Sequence, residues 1–190
     1  ALVKMTEETN MANLWHDLPP GPNNAQDVIY VIVEIPKRSR NKFEYDTESG
    51  FTKLDRVLYS SLHYPGDYGF IPRSYYDNED PLHVLVMTNE PTFPGCVIEA
   101  RPLGIFRMLD KGLRDDKILA VPATDPLFDA YQELEDVPPH FLEEVAHFFS
   151  VYKDLQHVGV EGLEWEEREA AMEAIERSLD LYAKYLRTSP

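Results

Sequence analysis

The sequence predicts an α+β protein in which a short-stranded, OB-like β-barrel carries two C-terminal helices packed on its outside. Three observations support this fold class. β-Branched runs fill the first two-thirds of the chain, Pro and Gly separate those runs at short intervals, and helical spacing of apolar residues begins only after Pro138-Pro139. Strands followed by helices are typical of the α+β class, and closure into a barrel removes the exposed edges of short strands.

The strands are predicted from β-branched runs and from period-two alternation. Val28–Ile35 is a β-branched run that ends at Pro36, as expected for a core strand. Lys42–Asp46 alternates charged and aromatic side chains, and the turn residues Thr47–Gly50 predict a hairpin whose second strand is Phe51–Tyr59. Further strands are predicted at Leu82–Met87, Val97–Met108 and Lys117–Val121.

Two helices are predicted in the last third of the chain. The first begins near Pro138-Pro139, and its apolar face comprises Phe141, Leu142, Val145, Phe148, Phe149 and Tyr152. The second is predicted from about Glu166 to Leu186, where glutamates near the start suit the helix dipole. Its apolar stripe comprises Ala171, Ile175, Ser178, Leu179, Tyr182 and Leu186.

Length and patterning predict one domain spanning residues 11–190. The chain has 190 residues, enough for a sizeable single core, and no repeat or linker divides it. Residues 1–10 are predicted to be a flexible N-terminal extension or, in part, a remnant of cloning.

The charge and the cysteine content restrict the partners and the compartment. The formal net charge of −16 argues against nucleic acid, because phosphate backbones bind basic surfaces. No apolar run approaches the roughly 20 residues that a membrane-spanning helix needs, and no segment has the pattern of a signal peptide. The single cysteine, Cys96, is predicted to be a small buried hydrophobe. A cytoplasmic location is expected.

Several polar residue types recur along the chain in a combination that suits phosphate chemistry. Carboxylates hold hard divalent cations, while Lys, Arg and Tyr bind phosphate oxygens. Taken by residue type alone the pattern is weak, because alternating charges on strands are more often a solvated face. The candidate residues are Glu34, Lys42, Glu44, Arg56, Tyr64, Tyr68, Asn78, Asp80, His83, Asp110, Asp115, Asp116, Lys117, Tyr152 and Lys153.

Seven short motifs, in order and at matching spacing, make the chain resemble the family I soluble inorganic pyrophosphatases of the prokaryotic type. The resemblance runs from about residue 14 to residue 185. The central motif, Asn78-Glu79-Asp80-Pro81-Leu82-His83, resembles the family's Asp-x-Asp-Pro-x-Asp signature. The other six motifs are Val33-Glu34-Ile35-Pro36, Lys42-Phe43-Glu44, Leu54-Asp55-Arg56, Tyr64-Pro65-Gly66-Asp67-Tyr68-Gly69-Phe70-Ile71-Pro72, Asp110 with Asp115-Asp116-Lys117, and His147-Phe148-Phe149 with Tyr152-Lys153.

This resemblance implies hydrolysis of inorganic pyrophosphate to two phosphates with several magnesium ions. By position, Asp80 is expected to accept the proton of the attacking water, and Tyr68 to lie beside that water and the substrate. The implied metal ligands are Asn78, Asp80, His83, Asp110, Asp115 and Glu34. The implied substrate-binding residues are Lys42, Glu44, Arg56, Tyr68, Lys117, Tyr152 and Lys153. A homo-oligomer, most simply a hexamer, is also implied.

Two departures from the family signature bear on the metal. Asn78 and His83 stand where aspartates are expected, so the site has two fewer formal negative charges. The amide of Asn78 offers a neutral oxygen, and a neutral imidazole offers one lone pair and cannot bridge two ions. Magnesium affinity is therefore expected to fall, and Mn²⁺, Co²⁺ or Zn²⁺ become alternatives.

Three functions stay open at this point. The first is a pyrophosphatase with a variant metal site, slowed or retuned to a transition metal. The second is a weak or inactive homologue that binds pyrophosphate or another phosphorylated ligand. The third is hydrolysis of a different diphosphate. His83 itself has an ordinary alternative, since a histidine beside a strand start is more often a surface or core-edge residue than a metal ligand.

Overall fold

Five strands close on themselves into a barrel, which confirms the predicted OB-like architecture. The computed structural model describes residues 12–152 and 160–188. One neighbouring pair in the ring, β5 (His83–Val86) with β8 (Lys117–Pro122), is parallel, and the other pairs are antiparallel. The ring runs β1 (Ile29–Ile35), β4 (Asp67–Phe70), β5 (His83–Val86), β8 (Lys117–Pro122) and β6 (Val97–Asp110), which pairs with β1 again.

A separate two-stranded sheet lies beside the barrel. It is the predicted hairpin, formed by β2 (Asn41–Tyr45) and β3 (Thr52–Val57). A short strand β7 (Leu113–Arg114) turns back onto the end of β6. Near the N-terminus, the single-turn helix α1 (Leu14–Asp17) is capped by the Asn13 side chain, which accepts hydrogen bonds from two backbone N–H groups.

Alternation along β5 and β8 divides the barrel's apolar side chains between two clusters. On β5, Val84 and Val86 belong to the first cluster and Leu85 to the second. The same alternation is found on β8, where Ile118 belongs to the first cluster and Leu119 to the second. Both faces of these strands are therefore buried, which explains their unbroken apolar sequence.

The two long helices each complete one of these clusters. Helix α2 (Pro139–Val151) adds Val145, Phe148 and Phe149 to the second cluster, so its predicted apolar face is confirmed. Helix α3 (Arg168–Thr188) adds Ala171 and Ile175 to the first. One member of its predicted stripe was wrong: the Leu186 side chain is 52% exposed, because it lies in the last turn, beyond the helix residues that are buried.

A ninth strand corrects the predicted order of strands first and helices after. Strand β9 (Val160–Glu167) lies between the two long helices and pairs with β6. Glu166 and Glu167 belong to this strand, so the second helix begins at Arg168 and not near Glu166. Strand β4 was not predicted either. It is only four residues long and lies in a stretch rich in Gly and Pro.

The burial of the cysteine and the character of the helices bear on two further sequence predictions. Cys96 is half-buried and not fully buried, although it does pack against the first apolar cluster. Within residues 12–152 and 160–188, none of the helices combines the length and the apolar character that crossing a bilayer requires.

The barrel depends on a close approach of backbones at Gly69. This residue lies opposite Val33 of β1 and Val84 of β5. A Cβ atom at position 69 would lie 2.0 Å from the backbone oxygen of Ile32, and backbone cannot move aside as a side-chain tip can. We predict that Gly69→Ala lowers the free energy of unfolding by about 3 kcal/mol or more, as measured by urea denaturation.

Gly112→Ala is the matched control for this prediction. A Cβ at Gly112 meets no atom within 4 Å, but the residue has a φ of +81°. Its substitution should therefore cost only the backbone strain of about 1–2 kcal/mol. Equal losses of stability in the two variants would contradict a steric role for Gly69.

Candidate active site

A cleft with a volume of about 810 Å³ brings most of the predicted site residues together. It lies where β5 and β8 begin, and the β2–β3 hairpin forms one of its walls. The predicted residues that line it are Glu34, Lys42, Glu44, Tyr68, Asn78, Asp80, His83, Asp110, Asp115, Lys117 and Tyr152.

Parallel pairing of β5 and β8 explains how distant segments meet in this cleft. His83 and Lys117 are the first residues of these strands, and they are partners in the register. Because the strands run in the same direction, the segments that precede them reach the same end of the barrel. Asn78 and Asp80 precede β5, and Asp115 precedes β8.

A β-bulge places Glu34 in the cleft. The register of β1 against β4 shifts between Val33 and Ile35, and bulges of this kind change the direction of a side chain beside a site. The Glu34 carboxylate is buried: its Oε1 accepts a hydrogen bond from the Tyr45 backbone N–H at 2.7 Å, and its Oε2 lies 3.5 Å from His83 Nε2. A carboxylate and an imidazole therefore face each other in the cleft.

The His83 ring is held between this carboxylate and an aromatic ring. It stacks on Tyr68 with the ring centroids 5.1 Å apart and the planes inclined by 14°. Its side chain is only 15% exposed. His83 is therefore a half-buried residue of the cleft wall and not an exposed surface histidine, and its role as a metal ligand stays a prediction.

Asn78 and Lys117 both donate hydrogen bonds to the same carboxylate oxygen. Asn78 Nδ2 donates to Asp115 Oδ1 at 2.7 Å, and the Lys117 ammonium is hydrogen-bonded to that oxygen as well. Lys117 and Asp115 are both buried. With an aspartate at position 78, two carboxylates would face each other here, so the amide removes a repulsion that would otherwise need a cation.

The cationic wall of the cleft is formed by the hairpin. Lys42 and Arg56 are cross-strand partners, and each donates to Asp55 Oδ2 at 3.0 Å. Lys42 lines the cleft, whereas Arg56 lies beside the lining residues. Partial burial by itself would raise the pKa of the Asp55 carboxyl, but the interactions with Lys42 and Arg56 outweigh it and lower this pKa. The predicted substrate-binding residue Lys153 lies outside the described residues.

Two of the predicted buried phenols line the cleft, and a third packs against one of them. Burial, together with the neighbouring Asp115, raises the pKa of both Tyr68 and Tyr152 well above its usual value. Burial also raises the pKa of Tyr64, whose ring packs against Tyr68 with the centroids 5.4 Å apart. Tyr68 and Tyr152 are therefore protonated hydrogen-bond donors throughout the neutral range.

Sequence reasoning missed the part of the cleft that the hairpin turn and the β6–β7 turn contribute. The hairpin turn had been predicted as a turn, but its polar side chains had not been assigned to the site. Only the packing of the hairpin against the barrel brings them there. The lining residues that had not been assigned to the site are Asp46, Thr47 and Glu48 of the hairpin turn, Lys53 and Asp55 of β3, Lys111 of the β6–β7 turn, and the largely apolar Ile35, Phe43, Tyr45, Leu54 and Leu113.

The acidic side chains of the cleft suit a divalent cation whose ligand shell is completed by water or substrate. Within the part of the chain that the structure describes, no three His, Cys, Asp or Glu side chains converge tightly enough to hold a metal ion by themselves. Magnesium, however, commonly binds through one or two carboxylates and completes its shell with water and substrate phosphate oxygens. The carboxylates of Asp80, Asp110 and Asp115, on one cleft, fit that mode of binding.

The five-stranded barrel carries an acidic, lysine-containing cleft whose residue types suit divalent cations and phosphate groups, and comparison with known proteins specifies the family. The family model for inorganic pyrophosphatase matches residues 31–183. The chain belongs to the inorganic pyrophosphatase family.

Individual relatives agree with this assignment. The chain is 53% identical over 173 residues to an inorganic pyrophosphatase of Haloferax volcanii, covering 90% of this chain and 97% of that one. It is 43% identical over 185 residues to soluble inorganic pyrophosphatase 1 of Arabidopsis thaliana, covering 97% and 87%. The crystal structure of inorganic pyrophosphatase from Thermus thermophilus superposes with a TM-score of 0.86 at 40% identity, covering 90% and 99%.

The buried tyrosines predict a loss of stability at alkaline pH. Tyr68 and Tyr152 keep their protons in the folded protein, whereas in the unfolded chain they ionise near pH 10. A rise in pH beyond the point at which tyrosines of the unfolded chain ionise therefore favours unfolding. Each such tyrosine should steepen the fall in the free energy of unfolding by up to about 1.4 kcal/mol per pH unit.

Urea denaturation between pH 8 and pH 11.5 measures this effect. Tyr152→Phe should make the alkaline slope shallower by the contribution of one tyrosine. Tyr59→Phe should leave it unchanged, because the Tyr59 side chain is 64% exposed in the folded protein. An alkaline slope that is the same in the Tyr152→Phe variant and the parent would refute the assignment.

Proposed function

We propose that this protein hydrolyses inorganic pyrophosphate to two phosphates with the help of divalent metal ions bound in the cleft. The observation that carries the proposal is the meeting of three kinds of group on one cleft: carboxylates, lysines and buried phenols. Among the described lining residues, eight carboxylates stand against four lysines. A cleft of that balance attracts divalent cations, and bound cations then reverse the local sign in favour of an anionic substrate.

The carboxylates of the cleft have distinct proposed roles. Asp110 and Asp115 would be the main metal ligands, with Asn78, Asp80, His83 and Glu34 as further ligand positions. When bound, a divalent metal lowers the pKa of the attacking water and offsets charge on the leaving phosphate. Asp80, an exposed carboxylate on the cleft, would accept the proton as the water oxygen forms its bond to phosphorus.

The remaining residues would bind and orient the pyrophosphate. Lys42, Arg56 and Lys117 would neutralise phosphate oxygens, and Lys153 would add a further cation. Tyr68 and Tyr152 would donate hydrogen bonds, which their raised pKa values permit at any physiological pH. As the P–O bond to the bridging oxygen breaks, these donors would stabilise charge on the departing phosphate. Glu44 would order Lys42, whose ammonium lies 3.5 Å from the Glu44 carboxylate.

We further propose that the metal site is a variant one. Asn78 faces Asp115 with its N–H₂ group, and only its single oxygen is left as a possible ligand. His83 presents one imidazole nitrogen toward Glu34. A carboxylate paired with an imidazole suits Mn²⁺, Co²⁺ or Zn²⁺ better than magnesium. Magnesium remains the first expectation for the Asp110 and Asp115 side, where oxygen ligands predominate.

One observation favours the second candidate, a weak or inactive homologue that binds pyrophosphate or another phosphorylated ligand. Asn78 and Lys117 both occupy Asp115 Oδ1, an oxygen that a metal would otherwise use. Hydrolysis of a different diphosphate is the third candidate. The lysines and phenols of a two-phosphate site are present, which supports the pyrophosphatase first.

The assembly and the location are also proposals. A homohexamer in the cytoplasm is expected, with the exposed His147 side of α2 as one contact surface. Light scattering distinguishes a hexamer or trimer from a monomer.

Asp80→Asn tests the proton-acceptor assignment. We expect turnover to fall about 100-fold or more, since removal of a general base commonly costs 10²–10⁴, while the thermal unfolding midpoint stays close to that of the parent. Phosphate release from pyrophosphate at saturating Mg²⁺ or Mn²⁺ measures it. Glu79→Gln is the matched control, because this neighbouring acid is exposed and does not line the cleft. Turnover that survives Asp80→Asn would show that another group takes the proton.

Restoring both carboxylates tests the variant metal site. The double variant Asn78→Asp, His83→Asp should raise magnesium-dependent turnover and lower the Mg²⁺ concentration that gives half activity. Without metal it should unfold at a lower temperature, because the carboxylate introduced at position 78 would then face the Asp115 carboxylate with no added counter-charge. Added Mg²⁺ should raise its unfolding midpoint more than it raises that of the parent. If neither the magnesium-dependent turnover nor the Mg²⁺-induced rise in the unfolding midpoint differs from that of the parent, the two substitutions do not define the metal site.

A further inference from the structure

A polar network behind the cleft connects the loop that carries Asn78 and Asp80 to the start of β8. At its centre is Asp116, a carboxylate that is 2% exposed. Its Oδ1 accepts a hydrogen bond from the Met108 backbone N–H at 3.1 Å. Its Oδ2 accepts from the Tyr76 hydroxyl at 2.7 Å and from Arg107 Nη1 at 2.8 Å. Asp116 does not line the cleft, so the proposed reaction gives it no direct role.

Tyr76 is the point at which the loop is fixed to this network. Its ring is buried, and its backbone N–H donates to the Asp80 carbonyl at 2.8 Å, while the Glu79 N–H donates back to the Tyr76 carbonyl at 3.1 Å. These bonds close a tight turn in which Glu79 has a φ of +65°, a conformation that a non-glycine residue adopts only when its surroundings hold it. The position of Tyr76 therefore sets the position of Asp80.

Helix α3 holds the same loop from the other side. Arg177 Nη2 forms an ion pair with Asp77 Oδ1 at 2.6 Å, and its guanidinium lies 5.3 Å from the centre of the Tyr76 ring. The Tyr75 backbone N–H donates to the Ser178 carbonyl at 3.0 Å. These contacts reach the loop from an element whose described residues do not line the cleft.

Two parallel links then join the loop to β8. Asn78 donates to Asp115 on the cleft side, and Tyr76 donates to Asp116 on the buried side. Only one residue separates Asn78 from Tyr76, and Asp115 and Asp116 are adjacent. Arg107 extends the buried side to β9, since its Nη2 lies 2.7 Å from Glu166 Oε2. The end of this strand had been predicted as helix, so the network could not be recognised from the sequence.

We infer that Tyr76 and Asp116 are positioning residues, which fix the separation between Asp80 and Asp115 before any metal binds. Asn78 gives the loop an uncharged side chain opposite Asp115, so a metal ion bound to Asp115 would restrain the loop against β8 less firmly than it would through a carboxylate. The Tyr76–Asp116 hydrogen bond supplies that restraint from the protein itself. The inference rests on the proposed function for its catalytic consequence, but not for its structural one.

Tyr76→Phe tests the inference because it removes the hydroxyl and keeps the ring that packs against Arg177. Tyr182→Phe is the matched control: Tyr182 is also a buried tyrosine of the described chain, but its hydroxyl lies 2.6 Å from His16 Nδ1 and so bonds to the N-terminal segment instead of joining the loop to β8. Three quantities are compared in the parent and both variants: amide hydrogen exchange of residues 77–82 without metal, Mn²⁺ affinity by calorimetry, and phosphate release as a function of Mg²⁺.

We expect Tyr76→Phe to accelerate exchange in residues 77–82 and to weaken Mn²⁺ binding, each by about tenfold, the effect of losing one hydrogen bond to a buried carboxylate. The Mg²⁺ concentration for half activity should rise by a similar factor, with kcat at saturating Mg²⁺ changed by less than about threefold. Tyr182→Phe should change none of these. Arg177→Gln, at a partly exposed position, should accelerate the same exchange to a smaller extent.

The outcomes separate the two proposals. If the parent releases no phosphate with any metal but Tyr76→Phe loosens the loop and weakens Mn²⁺ binding, the pyrophosphatase proposal fails and the positioning role stands. If the parent is active and Tyr76→Phe leaves loop exchange and metal affinity unchanged, the positioning role fails. If Tyr76→Phe accelerates amide hydrogen exchange uniformly over the whole chain, Tyr76 contributes only to global stability and the inference is overturned.

Discussion

The parallel pairing of β5 and β8 is the constraint on which the rest of the structure depends. It is the one parallel pair in a ring of otherwise antiparallel strands, within the part of the chain that the structure describes. Since parallel strands begin at the same end of a sheet, the segments before His83 and before Lys117 have to converge. Antiparallel pairing of β6 with β8 brings Asp110, at the end of β6, to that end as well. The cleft is thus a consequence of strand direction.

The middles of these strands stabilise the barrel, and their starts carry the polar residues of the cleft. Side chains such as Val84, Leu85 and Leu119 are buried in two apolar clusters, each completed by one long helix. The polar residues of the cleft lie at the strand starts and at the bulge at Glu34, where the backbone departs from regular pairing. A rigid apolar barrel can therefore hold closely spaced charged groups, which an isolated loop could not keep in place against their mutual repulsion.

Three carboxylates in and behind the cleft are compensated by neighbouring donors, although the cleft as a whole keeps an excess of carboxylates. Asp115 receives hydrogen bonds from Lys117 and Asn78, Asp55 from Lys42 and Arg56, and Asp116 from Arg107 and Tyr76. For the buried Asp115 and Asp116, such donors offset the cost of removing a charge from water. The bulk acidity and the site's electrostatics are separate properties.

The sequence by itself determined the fold class, the hairpin, both long helices and half of the residues that line the cleft. Those features follow from local periodicity, from turn residues and from motifs with fixed spacing, all of which are written in short stretches of chain. The tertiary structure alone decided the rest. Strand β9 exists because β6 is 14 residues long and its edge beyond the end of β1 needs a partner; the glutamates of β9, taken locally, favoured a helix. The contact of His83 with Glu34 and Tyr68, and the network through Asp116, join residues far apart in sequence, and only packing brings such groups within hydrogen-bonding distance.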